Sequence, residues 1–186
     1  MPRPKLVSDE DVLALALDVL ADEGTTFTLA DLARRVGLSR ATLIQRFGDR
    51  DAILRRMAQH EVDATRVWLE GYPVVRSRDG LWQFLEEIVR GMGGGNGFSA
   101  RVQIAALEVR DPALRALADE RYQLVQAAIA ERLPDGSHRQ EMAAHLHAII
   151  AGATMQWVVT DGATALSDFV LHRLHWAMKN THPPLI

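Results

Sequence analysis

Apolar residues recur at three- and four-residue intervals along almost all of this 186-residue chain, and that spacing leaves room for little besides helices. Val12, Leu13, Ala16, Val19 and Leu20 keep to one helical face, and Leu29, Leu32, Ala33 and Val36 follow the i, i+3, i+4, i+7 pattern. No stretch alternates apolar and polar residues as a half-buried strand does, and no Asn-Gly pair marks a hairpin. The pattern predicts an all-α protein of about nine helices.

Cap and turn residues divide the pattern. Ser8 with Asp11 three residues on is a capping-box start, and Gly24 is a stop. Thr28 with Asp31 starts a second helix that Gly37 ends, and Ser39 caps a third, over about residues 39–47. Gly48-Asp49 precedes a long fourth helix from Arg50 to Glu70, which Gly71-Tyr72-Pro73 breaks. Asp79 or Gly80 opens a fifth. The glycine-rich run from Gly91 to Gly97 predicts a flexible loop before a helix from Phe98 to Val109. Asp111-Pro112 pairs an N-cap with a proline at the first helical position, and that helix runs to Leu133. The last two segments, 137–160 and 166–180, are the most apolar.

The formal net charge is −3, which by itself argues against a nucleic-acid partner, since DNA binding rests on neutralising phosphates. The charge is unevenly sorted. The first sixty residues hold nine basic and nine acidic side chains, the remainder twelve and fifteen. Within residues 34–56 stand seven arginines against only Asp49 and Asp51. Cysteine is absent, which excludes a disulfide scaffold, a thiolate-ligated metal centre and a thiolate nucleophile. No run approaches the ~20 apolar residues of a membrane span, and the start, Met1 to Lys5, lacks a secretory apolar run. The expectation is a soluble, cytoplasmic protein without membrane partner or cofactor.

Enzymatic motifs are missing as well: no Gly-x-Ser-x-Gly elbow, no phosphate loop and no His-Glu-x-x-His. Of the seven histidines, His145 and His147 fall on different helix faces. His172 and His175 share a face, yet two ligands leave a zinc site incomplete. Neither catalysis nor a metal site is expected, and His175 reads as an interface residue.

The informative stretch is Thr28 to Phe47. Two short helices joined at Gly37 and preceded by another helix describe a helix-turn-helix in a three-helix unit. At 100° per residue, Leu43 and Phe47 point back at Leu32 and Val36, while Ala41, Thr42 and Gln45 face away. Arg40 and Arg46 flank that face, and the small residues at 41 and 42 let a helix sit deep in a major groove ~12 Å wide. A plain helical-bundle corner with a solvated polar face has the same pattern. Arg34, Arg35, Arg55 and Arg56 suit a solvated face or internal ion pairs. Arg40, Gln45, Arg46 and Arg50 suit DNA.

Residues 8–56 resemble the tetracycline-repressor-like (TetR) family of bacterial transcriptional regulators. The likeness lies in Val19 to Gly24, Phe27 to Ala33, Val36 to Ser39, Thr42-Leu43 and Phe47 to Leu54, in order and without insertion. It implies a phosphate contact from Thr28, groove reading by Arg40, Ala41, Thr42 and Gln45, and a phosphate clamp at Arg50. Ile44 and Arg46 depart from a family habit of an aromatic backbone contact nearby; Arg46 replaces it by a charge-assisted phosphate contact, or the operator preference differs. The resemblance further implies a DNA-binding domain over 1–56 and a helical domain over 57–186 that binds a small effector and forms a homodimer on a double-stranded palindromic operator, most often as a repressor.

For the dimer, one stripe holds Leu146, Ile149, Ile150, Ala153 and Trp157, another Leu166, Phe169, Val170, Leu174 and Ala177. Both stripes equally suit a monomer's core. For the effector, Trp82, Leu85, Val89, Met92, Phe98, Leu107, Tyr122 and Met155 are candidate apolar walls, with Gln103 and His145 among the polar anchors, which suggests a hydrophobic or aromatic ligand. A helical small-molecule-binding protein with weak DNA binding is the alternative function.

Overall fold

The computed structural model describes residues 7–92, 96–136, 138–160 and 162–180, with 96–101 described by backbone alone. Among these residues the chain forms nine α-helices and no strand: α1 (Asp9–Glu23), α2 (Leu29–Val36), α3 (Arg40–Phe47), α4 (Arg50–Glu70), α5 (Arg78–Gly91), α6 (Asn96–Glu108), α7 (Pro112–Arg132), α8 (Arg139–Trp157) and α9 (Leu166–Asn180). The all-α expectation stands, and contacts sort the helices into two compact units.

The first unit runs to Ala64 and resumes over α6 and the first half of α7, to Arg121. Its core joins Val12, Ala16 and Leu20 of α1 to Phe27, Leu32, Leu43, Phe47 and Ile53, and Leu114 of α7 closes the same cluster. Helix α1 packs along α6, whose Ile104 and Leu107 lean on this core. The second unit runs from Thr65 through α5 and from Tyr122 onward. Helix α9 packs on α8 and on α5.

Two boundaries differ from the expectation. Helix α5 begins before Asp79, because the Ser77 side chain accepts from the Gly80 backbone N–H at 3.0 Å and serves as its cap. Gly80 is no breaker. The preceding loop folds back so closely that a Cβ on Gly80 would stand 2.6 Å from the Val75 carbonyl oxygen. Gly80→Ala should therefore push that loop off the helix and lower stability by about 1–3 kcal/mol in urea melts. Gly91→Ala is the control: its Cβ would meet Trp68 at an ordinary 3.5 Å, so it should be neutral or stabilising. Equal effects of the two would show that the loop yields. The glycine-rich segment is also less of a loop than expected, since α5 includes Gly91 and α6 starts at Asn96.

In the second unit Arg132 is 2% exposed. Its guanidinium donates to the carbonyls of Ala128 (2.7 Å), Tyr72 (2.9 Å) and Pro73 (3.0 Å). It also lies 3.7 Å above the Phe84 ring, which belongs to an aromatic cluster with Trp68 and Tyr72. Burial pushes its pKa below the usual arginine value, and the nearby charge of Glu131 opposes this. The α4–α5 connection is thus fastened from within by one cation.

Candidate nucleic-acid interface

Local chemistry builds α2 and α3 as a helix-turn-helix. Thr28 caps α2: its hydroxyl accepts from the Asp31 N–H at 3.3 Å and donates to the Asp31 carboxylate at 2.7 Å, while the Thr28 N–H donates to that carboxylate at 2.8 Å. These bonds from Thr28, hydroxyl first, hold Asp31 below the ordinary carboxylate value, with Arg34 adding its charge. Gly37 takes φ +69°, the left-handed conformation that ends the helix, and the Leu38 N–H reaches back to the Ala33 carbonyl at 3.1 Å. Ser39 then caps α3 by accepting from the Thr42 N–H at 3.0 Å. Leu43 and Phe47 are buried with Leu32 and Val36, so α3 turns its other side outward.

On that outer side Arg40, Ala41 and Gln45 are exposed, as is Ile44. Thr42 is half-buried, its hydroxyl 2.8 Å from that of Ser39. Among the described residues Arg40 has no ion pair or hydrogen bond, and it stands at the first position of α3.

The other six arginines of the basic band are held within the unit. Arg34 pairs with Asp31, Arg35 with Asp22, and Arg55 with Asp111 at 3.6 Å. Arg46 donates to the Asp9 carboxylate through Nε, at 3.0 Å, and through Nη2; Arg56 is 3.6 Å from the same carboxylate. Arg50 turns inward. Its Nε donates to the Phe27 carbonyl at 2.8 Å and its Nη2 to the Thr25 carbonyl, with the guanidinium 4.7 Å from the Phe27 ring centre and Nη1 near Asp51 at 3.3 Å. In this DNA-free chain Arg50 latches the α1–α2 connection, a different use from the expected phosphate clamp. Asp9 is the residue that sequence reasoning passed over, because only folding brings it 37 positions along the chain to Arg46.

The residues expected around an effector fall into separate places. Leu107 leans on the core of the first unit and the Gln103 amide lies beside Gly24. The Phe98 side chain lies outside the described residues. A cavity of about 40 Å³ in this unit is lined by Ala58, Glu61, Ile104, Glu108, Leu117, Ala118 and Arg121, none of them an expected ligand residue. It has room for two or three waters. Burial raises the pKa of Glu108 there, and Arg121, 3.9 Å away, opposes the rise. In the second unit Leu85 and Val89 are buried, and Trp82 meets the His175 ring edge-on at 5.5 Å. Met92 lies 4.0 Å from the Thr154 hydroxyl. Tyr122 stands edge-on to His147, not His145, which is exposed, as is Met155.

The expected dimer stripes need a correction. Ile150 and Ala153, and Val170 and Leu174 at 0% exposure, are buried within the single chain, where α8 meets α9, and have no surface left for a partner. Ile149, Trp157, Phe169 and Ala177 keep partial exposure.

Residues 12–57 match the family described as "Bacterial regulatory proteins, tetR family". No curated protein matches the chain. Several solved structures share its fold. The transcriptional regulator FadR from Bacillus subtilis, in complex with stearoyl-CoA, is 12% identical with a TM-score of 0.74, over 94% of this chain and 100% of that one. A protein from Saccharomonospora viridis in complex with choline is 20% identical with a TM-score of 0.74, over 92% and 96%. The TetR-family transcriptional regulator PfmR from Thermus thermophilus is 18% identical with a TM-score of 0.62, over 88% and 94%. The capped helix-turn-helix and the match across residues 12–57 place this chain in the tetR family of bacterial regulatory proteins.

Proposed function

We propose that this chain is a cytoplasmic, non-catalytic transcriptional repressor whose homodimer binds a palindromic DNA operator through α3 and is released by a small, mainly apolar effector. The observation that carries the reading is the exposed row Arg40, Ala41 and Gln45: a cation without internal partner, a small side chain and an amide on one face of a helix. Arginine and glutamine offer the paired donors and acceptors that read base edges.

The dimer draws support from what α8 leaves uncovered. Residues Arg139–Thr160 are apolar enough, by length and composition alone, to cross a membrane, with a mean hydropathy of 1.2. Ala148, Gly152, Met155 and Val159 form an exposed stripe along this segment, and Trp176 of α9 is 66% exposed. Small residues at 148 and 152 let a second helix approach closely. A two-fold axis there would set twin recognition helices ~34 Å apart. Gly152→Arg tests this: a Cβ at Gly152 meets nothing within 4 Å, so the monomer should fold unchanged. Sedimentation should show a monomer, with affinity for a two-half-site duplex about a hundredfold weaker. A variant that stays dimeric would rule out this face.

For release, an effector that disfavours the DNA-fitting state by ~3 kcal/mol would lower operator affinity more than a hundredfold. Choline and stearoyl-CoA in proteins of the same fold support a ligand with a large apolar or methylated part. The internal pairing of six arginines favours a second reading, a ligand-binding protein with weak DNA binding. Selection of duplexes from a random pool, followed by anisotropy across salt concentrations, separates the two, because only the first enriches a sequence and binds it salt-dependently.

A further inference from the structure

One carboxylate holds two arginines beside the reading helix. Asp9, at the first turn of α1, accepts from Nε and Nη2 of Arg46 on α3 and lies 3.6 Å from Nη1 of Arg56 on α4. Both guanidiniums lie over the Phe47 ring, 5.3 Å and 5.1 Å from its centre. The arrangement is electrostatically incomplete: one negative charge faces two positive ones. Arg46 Nη1 is buried without a hydrogen-bond partner among the described residues. Asp9 itself is half-exposed, so water and other anions reach it.

We propose that Asp9 is an internal stand-in for a DNA phosphate, occupying Arg46 and Arg56 in the free protein and displaced from them by the operator backbone. A planar guanidinium that grips a carboxylate through two N–H groups presents the same fork to two phosphate oxygens. Half-exposed ion pairs are weak enough for a duplex, with one charge every ~1.7 Å of axis, to outcompete. Asp9 thereby tempers DNA affinity and keeps the two arginines from gripping any duplex at random. This rests on the regulator reading above.

The test measures anisotropy of a fluorescein-labelled duplex that the wild-type chain selects from a random pool, between 50 and 300 mM salt (about the range over which phosphate contacts are lost). Asp9→Asn should tighten binding about fivefold, the equivalent of ~1 kcal/mol, and steepen the slope of log K on log salt by about one to two, for the arginines released. Asp9→Ser, which also keeps a polar first-turn residue, should do the same. Adding Arg46→Ala to Asp9→Asn should undo about half of the steepening. Glu10→Gln removes an equal charge one residue away, where no arginine is held among the described residues, and should leave the slope unchanged. An unchanged slope in both Asp9 variants, or an equal change in Glu10→Gln, would overturn the stand-in role while leaving the regulator reading intact. A pool that enriches no sequence, with wild-type binding insensitive to salt, would instead remove the regulator reading and this role with it.

Discussion

Arg132→Ala should cost the protein about 3–5 kcal/mol, enough to lower the melting temperature by roughly 10 °C in a chain of this size. Removing the guanidinium leaves the Tyr72 and Pro73 carbonyls facing a void instead of a donor and strips the cation from Phe84. Each buried carbonyl without a donor accounts for about 1–3 kcal/mol, and the lost packing of the side-chain stem adds to that. Arg132→Lys keeps the charge but replaces a fork by a single ammonium, which cannot reach carbonyls on two elements at once. Arg132→Met keeps most of the volume and removes the desolvated charge while leaving the carbonyls unpaired. Both should fall between alanine and wild type in thermal melts. A loss below ~1 kcal/mol for alanine would show that water replaces the guanidinium and that the clamp is dispensable.

Gln45→Ala should weaken binding to a selected duplex about 5- to 150-fold, the range for one lost base-edge contact, while barely changing binding to a random duplex. Arg40→Ala should weaken both and make the salt slope shallower by about 0.9, because it removes a cation that no internal carboxylate compensates. Arg34→Ala is the contrast. Arg34 is paired with Asp31 on α2, so its removal should change the slope little. The difference between α2 and α3 is the measured quantity. If Arg40 and Gln45 variants bind both duplexes like wild type, α3 does not read DNA.

Much of the helix-turn-helix is legible because its causes are local. The Ser8–Asp11 and Thr28–Asp31 boxes, the positive φ of Gly37 and the Ser39 cap each lie within four residues of what they satisfy, and all form as the spacing predicts. The fate of the charges is not legible in the same way. The excess of five arginines in 34–56 looks like an open basic surface only when counted in a window. Asp9, Asp22, Asp31 and Asp111, all outside it, come in to hold Arg46, Arg56, Arg35, Arg34 and Arg55. Likewise the helical period finds stripes on α8 and α9 without saying which faces outward. The more apolar stripe, with Leu146, Ile150 and Ala153, turns to the core, and the one with smaller residues, Ala148 and Gly152, to solvent. Gly80 misleads for a third reason: a glycine demanded by a neighbour's carbonyl looks the same in sequence as one that ends a helix.

The first unit is assembled from chain that is not contiguous. Its core takes α1 to most of α4, then Ile104, Leu107 and Leu114, with residues 65–93 belonging elsewhere. During synthesis α1 to α4 therefore emerge early, yet the side of α1 that α6 covers has nothing to pack on until some forty further residues have been made. Loop closure over that distance slows the last step of folding, and until it happens the apolar flank of α1 stays wet. The order of translation thus delays completion of the DNA-reading unit until most of the chain exists, so a prematurely terminated product carries the helix-turn-helix sequence without a closed core beneath it.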